Sequence, residues 1–333
     1  MRNLFLSIFL LFTYATCIAQ DPHFSQFFAS PLTLNPALTG KFNGSMRITG
    51  NYRNQWPTIN RAFTTSTVSI DFPILKNAIG ENDTWGLGVM AYTDQSANGA
   101  LKVNYLSVST AYHKGLDEDG FSQIGIGFQG TYSNMILNTA SLKFEDQLTP
   151  FGFTGTTGEV FSSSTLKNNY YDLNAGILYT KSTNETNNFY VGASFYHILR
   201  PKQSFIGTYF LLNQRATLHA GGFFPVGETY TLHLSGLYST QAKAHETVVG
   251  GALQLPVSEG DKPTSIYVGS WLRVSDAIIP YIGLEFGDFR FGFTYDINTS
   301  SLKTASESKG GLEISLNYTP KPPDSKGLPC PKF

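Results

Sequence analysis

The side chains able to do chemistry are scattered along this chain rather than gathered. Gly125-Ile-Gly127-Phe-Gln-Gly130 matches the GxGxxG dinucleotide pattern. That pattern works only if a helix opens after the glycines and turns its N-terminus to a pyrophosphate. Here Thr131-Tyr132-Ser133 continues a two-residue alternation instead, so glycines on one face of a strand explain the match better. Histidines stand at His23, His113, His197, His219, His233 and His245, and no pair has helical metal-ligand spacing. A zinc site needs three or four convergent ligands. His219 and His233 fall on neighbouring expected strands, where a place on the wall suits them better. There is no Gly-x-Ser-x-Gly elbow and no recognisable Ser/His/Asp grouping. The sequence therefore assigns no catalytic residue, no cofactor site and no metal site, and an enzyme is not expected.

One stretch is harder to dismiss. Residues 20–44 carry Phe24, Phe27, Phe28, Leu32, Leu34 and Leu38, all needing cover, beside Pro31, Pro36 and Gly40, which break regular structure. An exposed apolar patch of this kind is functional or a liability. Phe24, Gln26, Phe27, Phe28, Asn35 and Pro36 are the candidate plug or partner-binding residues. A cysteine near the chain end, Cys330, joins them as a candidate partner contact.

These residues must be positioned by something outside the cytoplasm. Residues 1–19 run from Arg2 through the apolar Leu4–Phe12 stretch to a small residue, Ala19. Charge, apolar core and small-residue site is the order of a secretory signal peptide. Its removal leaves 314 residues with no second long apolar run. An exported chain without a spanning helix is either soluble or a closed barrel, because only helices and closed barrels satisfy every backbone group inside hydrocarbon. Net charge is −1, and −2 once Arg2 is gone, which offers no field for nucleic acid. Only 14% of residues are charged, against the usual ~25%, while 14% are aromatic. A wall facing lipid excludes charge, which costs about 2–4 kcal/mol at mid-bilayer depth on a barrel. The balance favours a wall in contact with outer-membrane lipid. With Cys17 in the leader, Cys330 has no internal disulfide partner.

Period-two alternation recurs along the rest of the chain. In Phe289-Arg-Phe-Gly-Phe-Thr-Tyr295 the aromatics share one face, while Arg290, Gly292, Thr294 and Asp296 share the other. Such runs mean strands between two different environments. Fourteen are expected, near 45–55, 61–73, 84–95, 100–114, 120–133, 168–181, 187–200, 212–224, 228–241, 244–255, 264–274, 277–287, 288–297 and 309–319. The expectation is an all-β transmembrane antiparallel barrel over 45–319. An even strand count suits a bacterial barrel with both termini in the periplasm. The longest gaps, 134–167, 201–211 and 298–308, then all fall on the outer side. Tyr171 with Tyr179, and Tyr230 with Tyr238, have a spacing that suits two aromatic girdles; Tyr105 and Tyr112 need a bulge to do the same. Residues 320–333 hold five prolines and no alternation, and read as a periplasmic tail.

Several stations resemble one family. They are the opening Asp21-Pro22-His23-Phe24-Ser25-Gln26 with Asn35-Pro36-Ala37 and Gly40; Tyr52-Arg53-Asn54-Gln55-Trp56; Phe189-Tyr190-Val191-Gly192; Arg290-Phe291-Gly292-Phe293-Thr294-Tyr295-Asp296; and Pro329-Cys330-Pro331. This pattern is similar to the PorP/SprF family of type IX secretion outer-membrane proteins. The resemblance implies a bacterial outer-membrane barrel that supports export or anchoring of secreted clients, a gliding adhesin among them. It implies two partners, the periplasmic lipoprotein ring of that machine and a secreted client protein. A rival reading is a FadL-like channel for hydrophobic small molecules, since a fold shared by both does not decide function.

Overall fold

The computed structural model describes residues 21–59, 63–75, 79–80, 82–183, 187–258 and 262–321. The leader 1–19 and Cys330 lie outside the described residues, as does the tail beyond residue 321.

Among the described residues, fourteen strands form one closed antiparallel barrel. They are β1 (Arg47–Gln55), β2 (Phe63–Ile74), β3 (Thr84–Ser96), β4 (Leu101–Gly115), β5 (Ser122–Asn138), β6 (Thr165–Ser182), β7 (Asn188–Tyr196), β8 (Arg215–Val226), β9 (Tyr230–Gln241), β10 (Ala244–Ser258), β11 (Thr264–Arg273), β12 (Ala277–Phe286), β13 (Phe289–Asn298) and β14 (Lys309–Tyr318). Each pairs with its chain neighbour, and β1 closes the ring on β14 from Ile48↔Tyr318 to Gln55↔Gly311. Among the described residues no helix is long and apolar enough to cross a membrane. The crossing is made by strands, whose closed ladder leaves no edge in hydrocarbon.

Alternation sets the two faces, and their polarity is the reverse of a water-soluble barrel. In β2, Val68, Ile70 and Phe72 point out and are exposed, while Thr67, Ser69 and Asp71 point in and are buried. In β13, Phe289, Phe291 and Phe293 point out, opposite Gly292, Thr294 and Asp296. Tyr171, Tyr230 and Tyr238 stand on the outer face. Tyr105 does not match its expected place. No register shift accompanies β4, so Tyr105 keeps the lumen-side parity and stacks on Tyr92 at 5.1 Å, while Tyr112 faces out.

Links alternate between two rims. The rim after odd-numbered strands carries the long ones, 139–164, 197–214 and 299–308. The expected gap 134–167 narrows because β5 and β6 run further into it as a projecting hairpin. The expected gap 201–211 widens because β7 stops at Tyr196. The other rim carries tight turns such as Gly287–Asp288, together with the start of β1 and the end of β14.

Residues 24–42 lie inside the ring and are almost wholly buried. They are less irregular than the prolines suggest. Three short turns follow one another, Phe27–Ala29, Pro31–Leu34 and Pro36–Leu38. Pro31 and Pro36 each sit at the start of a turn, where the missing N–H has no helical partner to lose. The Asn35 carboxamide caps the third by accepting from the Ala37 N–H at 2.8 Å.

The direction of this segment corrects one expectation. Asp21 bonds to Gln241, His197 and Arg215, all at the long-link rim. Gly44 and Ser45 meet Thr319 and Pro320 at the opposite rim, where the Pro320 carbonyl accepts from the Ser45 N–H. The two ends of the described chain therefore stand on opposite rims, not both on one side. The segment threads the full height of the barrel before β1 begins. In a Cys330→Ser background, a cysteine at Pro22 is expected to react with a membrane-impermeant maleimide from the same side as one at Phe210. A cysteine at Lys321 is expected to react only from the other side, and equal access to Pro22 and Lys321 would refute the threading.

Candidate functional site

The lumen is built around the thread at four levels. At the long-link mouth, the His197 ring lies between two carboxylates, Nε2 2.7 Å from Asp21 and Nδ1 2.5 Å from Asp172. Arg215 adds a contact of 3.3 Å to Asp21 and covers the Tyr196 ring. Burial disfavours the imidazolium, but Asp21 and Asp172 outweigh it and hold His197 up at about 9. Burial likewise disfavours the Asp21 carboxylate, and His197 with Arg215 overcomes it, leaving Asp21 at about 2.

One turn further in, Ser25 and Gln26 meet the wall. Their backbone N–H groups donate to the two oxygens of Glu313 at 2.7 and 2.9 Å. The Ser25 hydroxyl donates to Asp296 at 2.8 Å and accepts from Arg53 at 2.6 Å and Arg273 at 2.7 Å. Both guanidiniums also donate to Asp296, at 3.0 and 2.9 Å. The Gln26 side chain donates to the Glu313 carbonyl at 3.2 Å and accepts from Ser315 at 2.7 Å. Charges this deep are tolerated only when paired and hydrogen-bonded.

At mid-height, Asn35 is fully buried. Its amide donates to the Ile177 and Ala193 carbonyls at 3.0 and 3.2 Å and sits 2.9 Å from His219 Nε2. Glycines make the room. A Cβ on Gly127 would overlap the Pro36 and Ala37 backbone, and Cβ atoms on Gly176 and Gly192 would run into Asn35. Phe28 stacks on Trp271 at 4.6 Å and meets Tyr281 edge-on at 5.5 Å. At the exit, Asp71 accepts from the Gly40 N–H at 2.7 Å and from Arg47, which also donates to the Leu38 carbonyl at 2.9 Å.

Phe24, Gln26, Phe27, Phe28, Asn35 and Pro36 are thus gathered in the lumen. The two glycines of the GxGxxG match that face inward, Gly125 and Gly127, back onto His113 and onto the thread; Gly130 faces outward into open space. His219 and His233 are not cross-strand partners: His219 stands opposite Leu237 and His233 opposite Phe223, and His233 also pairs with Gln254 at 3.0 Å. The residues missed by sequence reasoning are Arg47, Asp71, Arg273 and Glu313. A signal was present: each is a charge on the inward parity of a strand whose outward positions are mostly apolar.

Fold and site together define an outer-membrane β-barrel whose lumen holds its own N-terminal segment. The chain belongs to the PorP/SprF family, described as type IX secretion system membrane proteins, which it matches over residues 16–318. No curated protein matches the sequence. Among solved structures it is similar to the toluene transporter TodX of Pseudomonas putida, with 9% identity, TM-score 0.49, and 91% of this chain and 95% of that one covered. It is also similar to the toluene transporter TbuX of Ralstonia pickettii, with 10% identity, TM-score 0.48, and 87% and 91% covered.

Two outcomes test the seat of the thread. Gly127→Val is expected to cost about 1–3 kcal/mol by overpacking, and to raise protease cutting near residue 35. Gly130→Val should leave cutting unchanged, and equal cutting in both would refute the fit.

A second test uses pH. A raised His197 contributes fully below its ordinary 6.5 and loses that contribution as pH climbs through about 9. A depressed Asp21 contributes above its ordinary 3.8 and loses it as pH falls through about 2. Protease cutting next to residue 22 is therefore expected to rise from pH 6.5 to 9. His197→Gln should abolish that rise, and an unaltered rise in the variant would remove His197 from the account.

Proposed function

We propose that this barrel serves the type IX secretion system as an anchorage, not as a conduit. It supports export or surface attachment of secreted clients by binding the periplasmic lipoprotein ring, the client, or both. The observation that carries this reading is the thread from Asp21 to Phe42, which occupies the lumen and is gripped at every level. Spaces beside it are small, such as one of about 60 Å³ lined by Pro22, Phe27, Leu237 and Glu246. Room of that size takes a few waters. Family membership supports the secretion setting. The long-link rim then faces outward, where a client arrives, and the tight-turn rim with Lys321 faces the periplasmic ring.

The alternative, passage of hydrophobic molecules, would require the thread to leave and would route apolar solute past Arg53, Arg273, Asp296 and Glu313. The Cys330 tail belongs to the same proposal, as a periplasmic contact.

Deleting the gene is expected to strip type IX clients from the cell surface while growth on hydrophobic nutrients continues. Truncation after Lys321 should leave heat-modifiable gel mobility intact and reduce client export. Normal export in the deletion strain, with growth on hydrophobic nutrients lost, would hand the function to the channel reading.

A further inference from the structure

The ring of strands is closed, yet at the long-link rim one strand runs on past the end of its neighbour. β6 pairs with β5 all the way to Asn138↔Thr165. Its other neighbour, β7, stops pairing at Ala175↔Phe195. The stretch Thr165–Asp172, roughly 25 Å of strand at ~3.3 Å per residue, therefore has a ladder partner on one side only, while Leu173 and Asn174 are met by the Ile198 and His197 N–H groups of the link after β7.

The direction of its backbone groups follows from two bonds. The Ser182 N–H donates to the Phe121 carbonyl on the β5 side, and the Leu173 carbonyl accepts from the Ile198 N–H on the β7 side. Successive residues alternate in direction, so the N–H and C=O groups of Lys167, Asn169 and Tyr171 point to the open side. Thr165 differs, because its N–H is held by the Ser163 hydroxyl at 3.2 Å. The nearby ribbon of Lys202–Gln203 with Phe210–Leu211 reaches β6 through Gln203, which donates to the Tyr170 hydroxyl at 3.2 Å. It forms no ladder with β6. An unpaired edge of this kind is a template for another chain.

We propose that the Lys167–Tyr171 edge receives an extended segment of a partner protein by strand addition. Backbone pairing supplies affinity in this mode, and flanking side chains supply selectivity. On the outer face the incoming segment meets Tyr171, which is 74% exposed, and Lys167, which favours an acidic residue opposite it. On the lumen side it meets Tyr170 and Gln203. Exposed Ile206 and Phe210 flank the same mouth and suit an apolar neighbour. The edge geometry stands by itself, but naming the partner as a type IX client rests on the proposed function.

The test uses the backbone parity. Asn169→Pro removes an N–H that faces the open side, and proline is tolerated on edges. Asn168→Pro removes one that faces β5 and should damage the barrel. With native membranes and the client identified by mass spectrometry, Asn169→Pro is expected to lower co-purification about tenfold, the weight of a lost backbone bond. Asn169→Ala should keep it within about twofold. In the purified wild-type complex, amide exchange at Lys167, Asn169 and Tyr171 should slow at least about tenfold on binding. Unchanged exchange at these amides, or full co-purification with a heat-modifiable Asn169→Pro barrel, overturns the edge proposal. Normal client export in the deletion strain instead overturns the function and leaves the edge open to another partner.

Discussion

The structure depends on one arrangement of charge, the grip of Glu313, Asp296, Arg53 and Arg273 on Ser25 and Gln26. A barrel wall must be apolar outside, so its polar residues turn inward. Once a chain segment covers them, they lose water and must be satisfied by that segment or by one another. Here both occur. Glu313 takes two thread N–H groups, and Asp296 takes the Ser25 hydroxyl and two guanidiniums. Arg53 and Glu313 face each other across the seam that closes β1 on β14. The thread therefore bonds to the two strands whose pairing makes the ring complete.

Space is fitted as closely as charge. The thread's three short turns bring backbone rather than side chains to the wall at several points, and glycines face them there. Gly127 lies against Pro36 and Ala37, and Gly86 against Thr39 and Gly40. A side chain at these places would displace the thread, so these two inward glycines record where another backbone passes. That gives the glycine-rich run in β5 a physical meaning that nucleotide binding does not.

Much of this was legible in the sequence. Strand number and most strand limits followed from alternation, because a lipid-facing wall tolerates no break in it. Phe289 to Tyr295 shows why: four aromatics at two-residue spacing have one environment open to them. What alternation does not carry is the partner of an inward charge. Arg53 and Asp296 were visible as members of two family-like stretches, Tyr-Arg-Asn-Gln-Trp and Arg-Phe-Gly-Phe-Thr-Tyr-Asp. Their meeting at Ser25, far away in sequence, depends on ring closure and on the path of the thread. That path was also misjudged from sequence. Strand parity fixes where β1 begins, but not where a preceding segment comes from.

These facts confine recognition to the rims. The outer wall presents apolar side chains that lipid satisfies without selectivity. The lumen is committed to the thread, whose polar groups already have partners at each level. A protein that recognises this barrel must therefore read what stands above or below the bilayer. At the tight-turn rim that is the neighbourhood of Phe42, Arg290 and Lys321, which line a common pocket. At the mouth it is the anchored start of the thread at Asp21 and His197, together with the projecting β5–β6 hairpin. The thread runs between these two surfaces without a break, so displacement at one end is resisted by every polar contact along its length. The anchorage proposed for this barrel would draw on that continuity, whereas passage of a solute would have to break it.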